Sequence, residues 1–92
     1  MTQQTDSSTV VAVTVRYFAA ARAAAGVESE IVQVPSGAGV AELAETLAGG
    51  NERLATVLDR CSYLRDGVAV RDHAAALKPG ETIDVLPPFA GG

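Results

Sequence analysis

Hydrophobic and polar residues alternate in the first regular stretch of the chain, VVAVTVRYF at residues 10–18. Alternation with a period of two, in a segment rich in β-branched and aromatic residues, predicts a β-strand. Phe18 falls on the same face as Arg16, where an aromatic side chain is unexpected. The other face should point into a core, and it carries Val11, Val13, Val15 and Tyr17.

The pattern then changes to helical spacing and back. AAARAAAG, residues 19–26, is rich in alanine and ends in Gly26, which predicts a short helix or turn. SEIVQVP alternates again and predicts a second strand that ends at Pro35. In residues 40–50 the apolar side chains recur at i, i+3, i+4 and i+7, which predicts a helix with one apolar face. That face carries Val40, Leu43, Ala44 and Leu47.

The second half of the chain repeats these signals more weakly. NERLATVLDRC has helical spacing, with Asn51 as its N-cap. The Asp66-Gly67 pair in SYLRDGVAV predicts a two-residue hairpin between two strands. A last strand is predicted at residues 82–86, with its polar and apolar side chains again alternating. Its inward side chains should be Ile83 and Val85.

The order strand, strand, helix, short helix, strand, strand, strand predicts one two-layer α+β domain. Its mixed sheet would pack against one main helix, and it becomes a ubiquitin-like β-grasp if the first and last strands pair as central neighbours. We expect a flexible polar leader at residues 1–9, the β-grasp domain at 10–86 and an extended C-terminal tail at 87–92. Ninety-two residues leave no room for a second domain.

Composition argues against several function classes. The formal net charge of −4 and the lack of a Lys and Arg cluster argue against nucleic-acid binding. No apolar run approaches the roughly 20 residues that cross a bilayer, so we expect no membrane contact. Cys61 is the one cysteine and His73 the one histidine, so we expect neither an internal disulfide nor a metal site. A reducing cytoplasm is the simplest setting.

The side chains show no catalytic constellation. The glycines fit neither a phosphate loop nor a dinucleotide fingerprint, and we interpret them as loop punctuation. Cys61 has no partner at a motif spacing and is interpreted as a small core residue, while His73 is predicted at a surface turn. Asp84 is assigned to the polar side of the last strand. Any chemistry should therefore lie outside the side chains.

The C-terminal segment LPPFAGG could carry such chemistry on its terminal backbone carboxylate instead of on a side chain. Proline has no N–H, so Pro87 and Pro88 cannot extend the sheet and favour an extended chain that leaves the domain. Residues 87–92 reach at most about 20 Å. Gly91 and Gly92 have no Cβ and can thread a narrow channel. A terminal carboxylate on such a stalk can enter another protein's active site.

Three segments also carry a family resemblance: VTVRYFAAARAAAG, YLRDG and above all DVLPPFAGG. They resemble the ubiquitin-like sulfur carriers, the MoaD/ThiS family, over nearly the whole chain beyond the leader. Within that family the chain looks most like small subunits of molybdopterin synthase, in their mycobacterial or related actinobacterial form. The terminal Gly-Gly is specific to the wider group, and the combination of RYFA with LPPFAGG narrows the resemblance.

The resemblance implies that the carboxylate of Gly92 is adenylated by an E1-like enzyme that uses ATP, and is then converted to a thiocarboxylate. The tail would enter the large subunit of the synthase and give its sulfur to precursor Z, a cyclic pyranopterin monophosphate. Two small and two large subunits would assemble. The chain would bind no cofactor and would be the sulfur-carrying subunit of a transferase, without catalytic side chains. The inserted residues would be Pro87, Pro88, Phe89, Ala90 and Gly91.

Strand parity adds a partner surface to this expectation. Phe18 and Leu86 fall on the nominally polar faces of the first and last strands, and Ala69 can join them from the hairpin. If those strands are neighbours, the three residues form an apolar patch beside the root of the tail. We expect Phe18 and Leu86 to anchor both the activating enzyme and the large subunit. The alternative is that Phe18 folds inward over the helix edge.

Three other functions remain open from sequence. A sulfur carrier for thiamine thiazole or cysteine synthesis would have the same tail. A ubiquitin-like modifier would join the same Gly-Gly end to lysines of target proteins. A binding module would never have its tail activated, so deletion of Gly92 would leave it unaffected.

Overall fold

The computed structural model describes residues 10–88, so the predicted leader and residues 89–92 lie outside the described residues. Eight elements follow one another along residues 10–88: β1 Val10–Tyr17, α1 Ala19–Ala25, β2 Ser29–Pro35, α2 Val40–Ala48, α3 Glu52–Leu58, β3 Ser62–Arg65, β4 Val68–Ala69 and β5 Thr82–Leu86. The alanine-rich segment is thus a helix, and the other predicted elements are confirmed within a few residues.

The strands form one mixed sheet in the order β2-β1-β5-β3-β4. β1 and β5 run parallel, with Thr14 opposite Thr82 and Tyr17 opposite Val85. The neighbouring pairs β1–β2, β3–β5 and β3–β4 are antiparallel. The first and last strands are therefore central neighbours, which confirms the predicted ubiquitin-like β-grasp. None of the helices within residues 10–88 is long and apolar enough to cross a membrane.

The core lies between one face of the sheet and the helices. Val13, Val15, Ile83 and Val85 are at most 1% exposed, so the β1–β5 pair is completely covered on this face. The predicted stripe of α2 packs on it, with Leu43 fully buried. Burial of aliphatic side chains at close packing is the main stabilising contribution in a domain of this size. Strand parity therefore assigned the inner face correctly.

Several helices and strands end in the caps and turns that the sequence predicts. Gly26 follows α1 in the left-handed conformation, with φ of 83°, and its N–H donates to the carbonyl of Arg22. The side chain of Asn51 accepts a hydrogen bond from the N–H of Leu54 at 2.9 Å and caps α3. Asp66 and Gly67 both have positive φ, as a tight hairpin between two strands requires.

Gly39 has a role that its interpretation as loop punctuation missed. It is buried at the start of α2, where its N–H donates to the side chain of Glu42. A Cβ at this position would lie 2.3 Å from the backbone carbonyl oxygen of His73. Only glycine allows the segment before β5 to pass this close to the start of the main helix.

Candidate functional site

The tail begins at the centre of the sheet. β5 lies between β1 and β3 and ends at Leu86, after which Pro87 and Pro88 continue without regular structure. Neither proline has an N–H to add to the ladder, so sheet pairing stops at this point. The last predicted tail residues, Phe89, Ala90, Gly91 and Gly92, lie outside the described residues.

The predicted partner residues lie on the sheet face that the helices leave uncovered. Phe18 follows Tyr17, whose partner is Val85, so Phe18 stands beside Leu86 one position further along the pair. Its N–H donates to the carbonyl of Val85 at 3.2 Å. Phe18 is 38% exposed, and Leu86 is half-buried. The alternative in which Phe18 folds inward is therefore wrong.

The sequence interpretation missed Leu64, which joins this surface from β3. In the register, Leu64 lies opposite Asp84 on one side and the exposed Ala69 on the other. Leu64 is also diagonal to Leu86, within reach of a long side chain. We define the outer patch by its four apolar members: Phe18, Leu64, Ala69 and Leu86. Alternation from the buried Tyr63 could have placed Leu64 on this face.

Phe18 is held by the backbone on both sides. It is the N-cap residue of α1, with extended φ and ψ of −125° and 149°. Its carbonyl accepts hydrogen bonds from the N–H groups of Ala21 and Arg22 at 3.0 and 3.3 Å. Ala19 then turns the chain with a positive φ of 50°, which is uncommon for a residue with a side chain. The exposed ring is therefore placed by a strand end and a helix start together.

An ion pair borders the outer patch, and the sequence interpretation did not find it. Arg16 donates from Nε and Nη2 to the two carboxylate oxygens of Asp84 at 2.6 and 3.0 Å. Asp84 was expected on the polar side of β5, and it does face outward, but it is only 6% exposed because Arg16 covers it. This hydrogen bond and the attraction of the carboxylate raise the pKa of Arg16.

The same guanidinium also contacts the patch itself. Its central carbon lies 5.7 Å from the centre of the Phe18 ring, within the range of a cation–π interaction. Asp84, Arg16 and Phe18 thus form a continuous series of contacts from the middle of the sheet to its exposed aromatic residue. Arg16 and Asp84 meet because the parallel pairing of the first and last strands places them opposite each other, and this register is set by the tertiary structure.

On the helix side of the tail root there is a cavity of about 320 Å³. It lies between α1, α3 and the two prolines, and its lining is Ala20, Thr56, Val57, Arg60, Pro87 and Pro88. The root of the tail therefore has the outer patch on one side of the sheet and this cavity on the other. A partner that holds the tail can contact both sides.

The described residues offer little side-chain chemistry. Residues 10–88 contain no cluster of His, Cys, Asp and Glu that could hold a metal ion. The Cys61 thiol packs against the core and donates to the carbonyl of Val57, and burial raises its pKa, so it is a poor nucleophile. His73 is exposed and meets the ring of Tyr63 edge to face at 5.8 Å.

A mixed sheet with a central last strand, covered on one face by helices, defines the class of ubiquitin-like β-grasp domains. The ThiS family model matches residues 15–92, and the chain belongs to this family. Among curated relatives, the molybdopterin synthase sulfur carrier subunit of Homo sapiens is 32% identical over 82 residues, which cover 87% of this chain and 93% of the relative. The subunit of the same name from Chlamydomonas reinhardtii is 30% identical over 79 residues, 85% of this chain and 95% of the relative.

Solved structures show the same fold. A protein from Pyrococcus furiosus assigned as molybdopterin converting factor subunit 1 has a TM-score of 0.77 at 31% identity, covering 86% of this chain and 99% of its own. SAMP1 from Haloferax volcanii has a TM-score of 0.76 at 26% identity, with 88% and 99% covered. A chain from the complex of subunits 1 and 2 of the Helicobacter pylori molybdopterin-converting factor has a TM-score of 0.66 at 24% identity, with 89% and 100% covered.

These relatives identify the family, but they do not indicate which group of organisms this chain most resembles. The curated ones come from an alga and from human, so the particular likeness to mycobacterial and actinobacterial proteins stays a prediction. Both of these relatives are molybdopterin synthase sulfur carrier subunits, and each is about 30% identical to this chain.

Proposed function

We propose that this chain is the sulfur-carrying small subunit of a cytoplasmic molybdopterin synthase, and that its reactive group is the carboxylate of Gly92. The observation that carries the proposal is the position of the tail root. The chain leaves the sheet from its central strand, next to an exposed apolar patch, in a protein about 30% identical to named sulfur carrier subunits.

The chemistry follows from the weakness of a carboxylate as an electrophile. A carboxylate oxygen of Gly92 would attack the α-phosphorus of ATP on an E1-like enzyme, releasing pyrophosphate and giving an acyl adenylate. Hydrosulfide would then displace AMP, so that the carbonyl carbon exchanges one C–O bond for a C–S bond. With a persulfide donor the first product would be an acyl disulfide, and a thiol reductant would cleave its S–S bond to release the thiocarboxylate. The resulting thiocarboxylate would give its sulfur to precursor Z to build the dithiolene, and water would replace sulfur on the carbonyl carbon and return Gly92 to a carboxylate. Acid, base and pocket would come from the partner.

The outer patch supports a role in docking both partners. Phe18 is a large exposed aromatic residue in a fixed backbone position, and such residues often contribute most of the binding energy at an interface. Leu86 stands beside it at the root of the tail. With the patch in contact, Pro87 and Pro88 would direct the following residues into the partner's active site. Two small and two large subunits would then form the synthase.

Intact-mass measurement tests the proposal directly. The full chain is incubated with ATP, the activating enzyme and a sulfur donor from the same organism. We expect a mass increase equal to the exchange of one oxygen for sulfur, located at the C-terminus. The matched control lacks only Gly92 and should gain no mass while keeping its fold. An unmodified wild-type chain would contradict the proposal.

Transfer to the pterin separates this pathway from its nearest rival. A carrier for thiamine thiazole or cysteine synthesis belongs to the same family and would gain the same mass. We expect the sulfur-loaded chain to convert precursor Z when mixed with the large subunit. If sulfur were delivered only to a thiazole synthase or a cysteine synthase homologue, the pathway assignment would be wrong and the carrier assignment would stand.

A second candidate from another class is a ubiquitin-like protein modifier. The likeness to SAMP1, which is a small archaeal modifier protein, favours it, because the fold and the end of the chain would serve both functions. A modifier forms an amide between Gly92 and a lysine of its target. Affinity-tagged chain isolated from cells under denaturing conditions would then carry covalently attached proteins, whereas a dedicated carrier would not.

A further inference from the structure

We propose that Arg16, which Asp84 holds in place, makes the outer patch selective for its partner. The accepted partner is a subunit that places a neutral oxygen acceptor opposite Arg16, where the guanidinium can donate a hydrogen bond to it. The inference rests on the proposed function, because the partner is the second subunit of the synthase. It concerns which surfaces the patch accepts, rather than the chemistry of Gly92.

Arg16 does not use all of its hydrogen-bond donors in the ion pair with Asp84. A guanidinium has five N–H groups. Two of them donate to Asp84, from Nε and Nη2, which leaves three without a partner in this pair. The side chain of Arg16 is 53% exposed, against 9% for that of Asp84. Water can therefore reach the remaining N–H groups only while this face of the sheet is uncovered.

A partner that covers the outer patch must also cover Arg16. The guanidinium lies over the ring of Phe18, so a surface that buries this ring displaces water from the guanidinium as well. Polar groups that lose water without gaining a new acceptor weaken an interface. An entirely apolar partner surface is therefore rejected, even though it would suit Phe18 and Leu86.

Asp84 determines what kind of acceptor fits. Its carboxylate already balances the charge of Arg16 through two hydrogen bonds in a fixed fork. A second carboxylate would bring an additional negative charge close to a buried one. A backbone or amide carbonyl oxygen satisfies the free N–H groups without that repulsion. The expected partner feature is thus a neutral carbonyl oxygen beside an apolar surface.

The test removes the pair without changing net charge. The variant Arg16→Leu with Asp84→Ala loses one positive and one negative group, and it makes the face more apolar. Binding of the full chain to the second subunit is measured by calorimetry, beside the wild type. We expect the affinity to fall by about tenfold to a hundredfold, because the partner's acceptor loses its donor on binding. Equal or tighter binding would overturn the inference, since a purely apolar patch should benefit.

Two further variants complete the design. Arg65→Met with Glu81→Gln removes another ion pair, of 2.6 Å. Arg65 lies opposite Ile83 and therefore on the other face of the sheet, so this variant should bind like the wild type. Arg16→Asp with Asp84→Arg keeps a pair but moves the donors to β5. It should bind weakly, and wild-type affinity there would also overturn the inference, even if the first variant failed to fold. If the wild-type chain itself did not bind the second subunit, the proposed function would fail together with this inference.

Discussion

The two faces of the β1–β5 pair carry opposite kinds of surface, although they are built from alternate residues of the same strands. The inner face presents Val15, Ile83 and Val85, none of which is measurably exposed. The outer face presents an ion pair, Arg16 with Asp84, and beside it the exposed ring of Phe18. One face stabilises the domain through burial, and the other remains available to a partner.

The difference shows why this domain can be altered on its outer face without losing its fold. Apolar burial on the inner face does not depend on what lies outside. The outer residues add one polar pair and an aromatic contact to a sheet that is already paired on both sides. We therefore expect inner substitutions to change stability and outer substitutions to change partner binding.

The largest expected effect is on the inner face. Ile83→Ala should lower the free energy of unfolding by about 2–5 kcal/mol, because it leaves a cavity in a closely packed core. This is a large part of the roughly 5–15 kcal/mol typical of a domain. Urea unfolding measures it. Leu86→Ala, three positions along the same strand and half-buried on the outer face, is the matched control and should lower stability less. Equal losses would remove the contrast between the faces.

The next effect is on binding. Phe18→Asp should weaken binding to the second subunit by about a hundredfold, because it places a charge where an aromatic anchor is expected. The melting temperature should change little, since the ring is already 38% exposed. Ile31→Asp serves as control, because Ile31 is 74% exposed and lies at the β2 edge of the same face, next to Thr14. Wild-type binding by the Phe18 variant would show that the partner docks elsewhere.

A smaller effect concerns the stability that the ion pair itself provides. Arg16→Leu alone should lower the urea midpoint, because the buried carboxylate of Asp84 loses both side-chain hydrogen bonds. Adding Asp84→Ala should restore most of the loss, since no unpaired charge then remains. If the double variant were the less stable of the two, the unpaired carboxylate would not be the cause of the loss.

The smallest expected effect is a dependence of folding stability on pH, caused by the buried hydroxyl of Tyr63 on the inner face. Burial raises the pKa of Tyr63 to about 12, above its ordinary value of 10.0. Below pH 10 the hydroxyl keeps its proton in both folded and unfolded chains. Between pH 10 and 12 the unfolded chain loses this proton first, so stability should fall as pH rises. Tyr63→Phe should make this fall shallower in urea titrations, whereas an unchanged slope would assign the loss to other groups.

Much of the candidate site could be predicted from sequence, because strand alternation placed Phe18 and Leu86 on one face before their pairing was known. The hairpin at Asp66-Gly67 was also predictable from local turn chemistry. The ion pair between Arg16 and Asp84 could not be predicted from sequence. The two residues are 68 positions apart, and each looks like an ordinary solvated residue of its own strand. Leu64 was missed because its strand of four residues gave only a short alternation.

The sequence by itself determined the element order, the inner face and the point at which sheet pairing stops, since hydrophobic period, turn residues and proline act within a few positions. Only the tertiary structure decided which residues meet across the sheet. Parallel pairing of β1 with β5 depends on packing of the whole domain. That pairing places Asp84 under Arg16. The tertiary structure also brings the backbone carbonyl of His73 so close to position 39 that only glycine fits there.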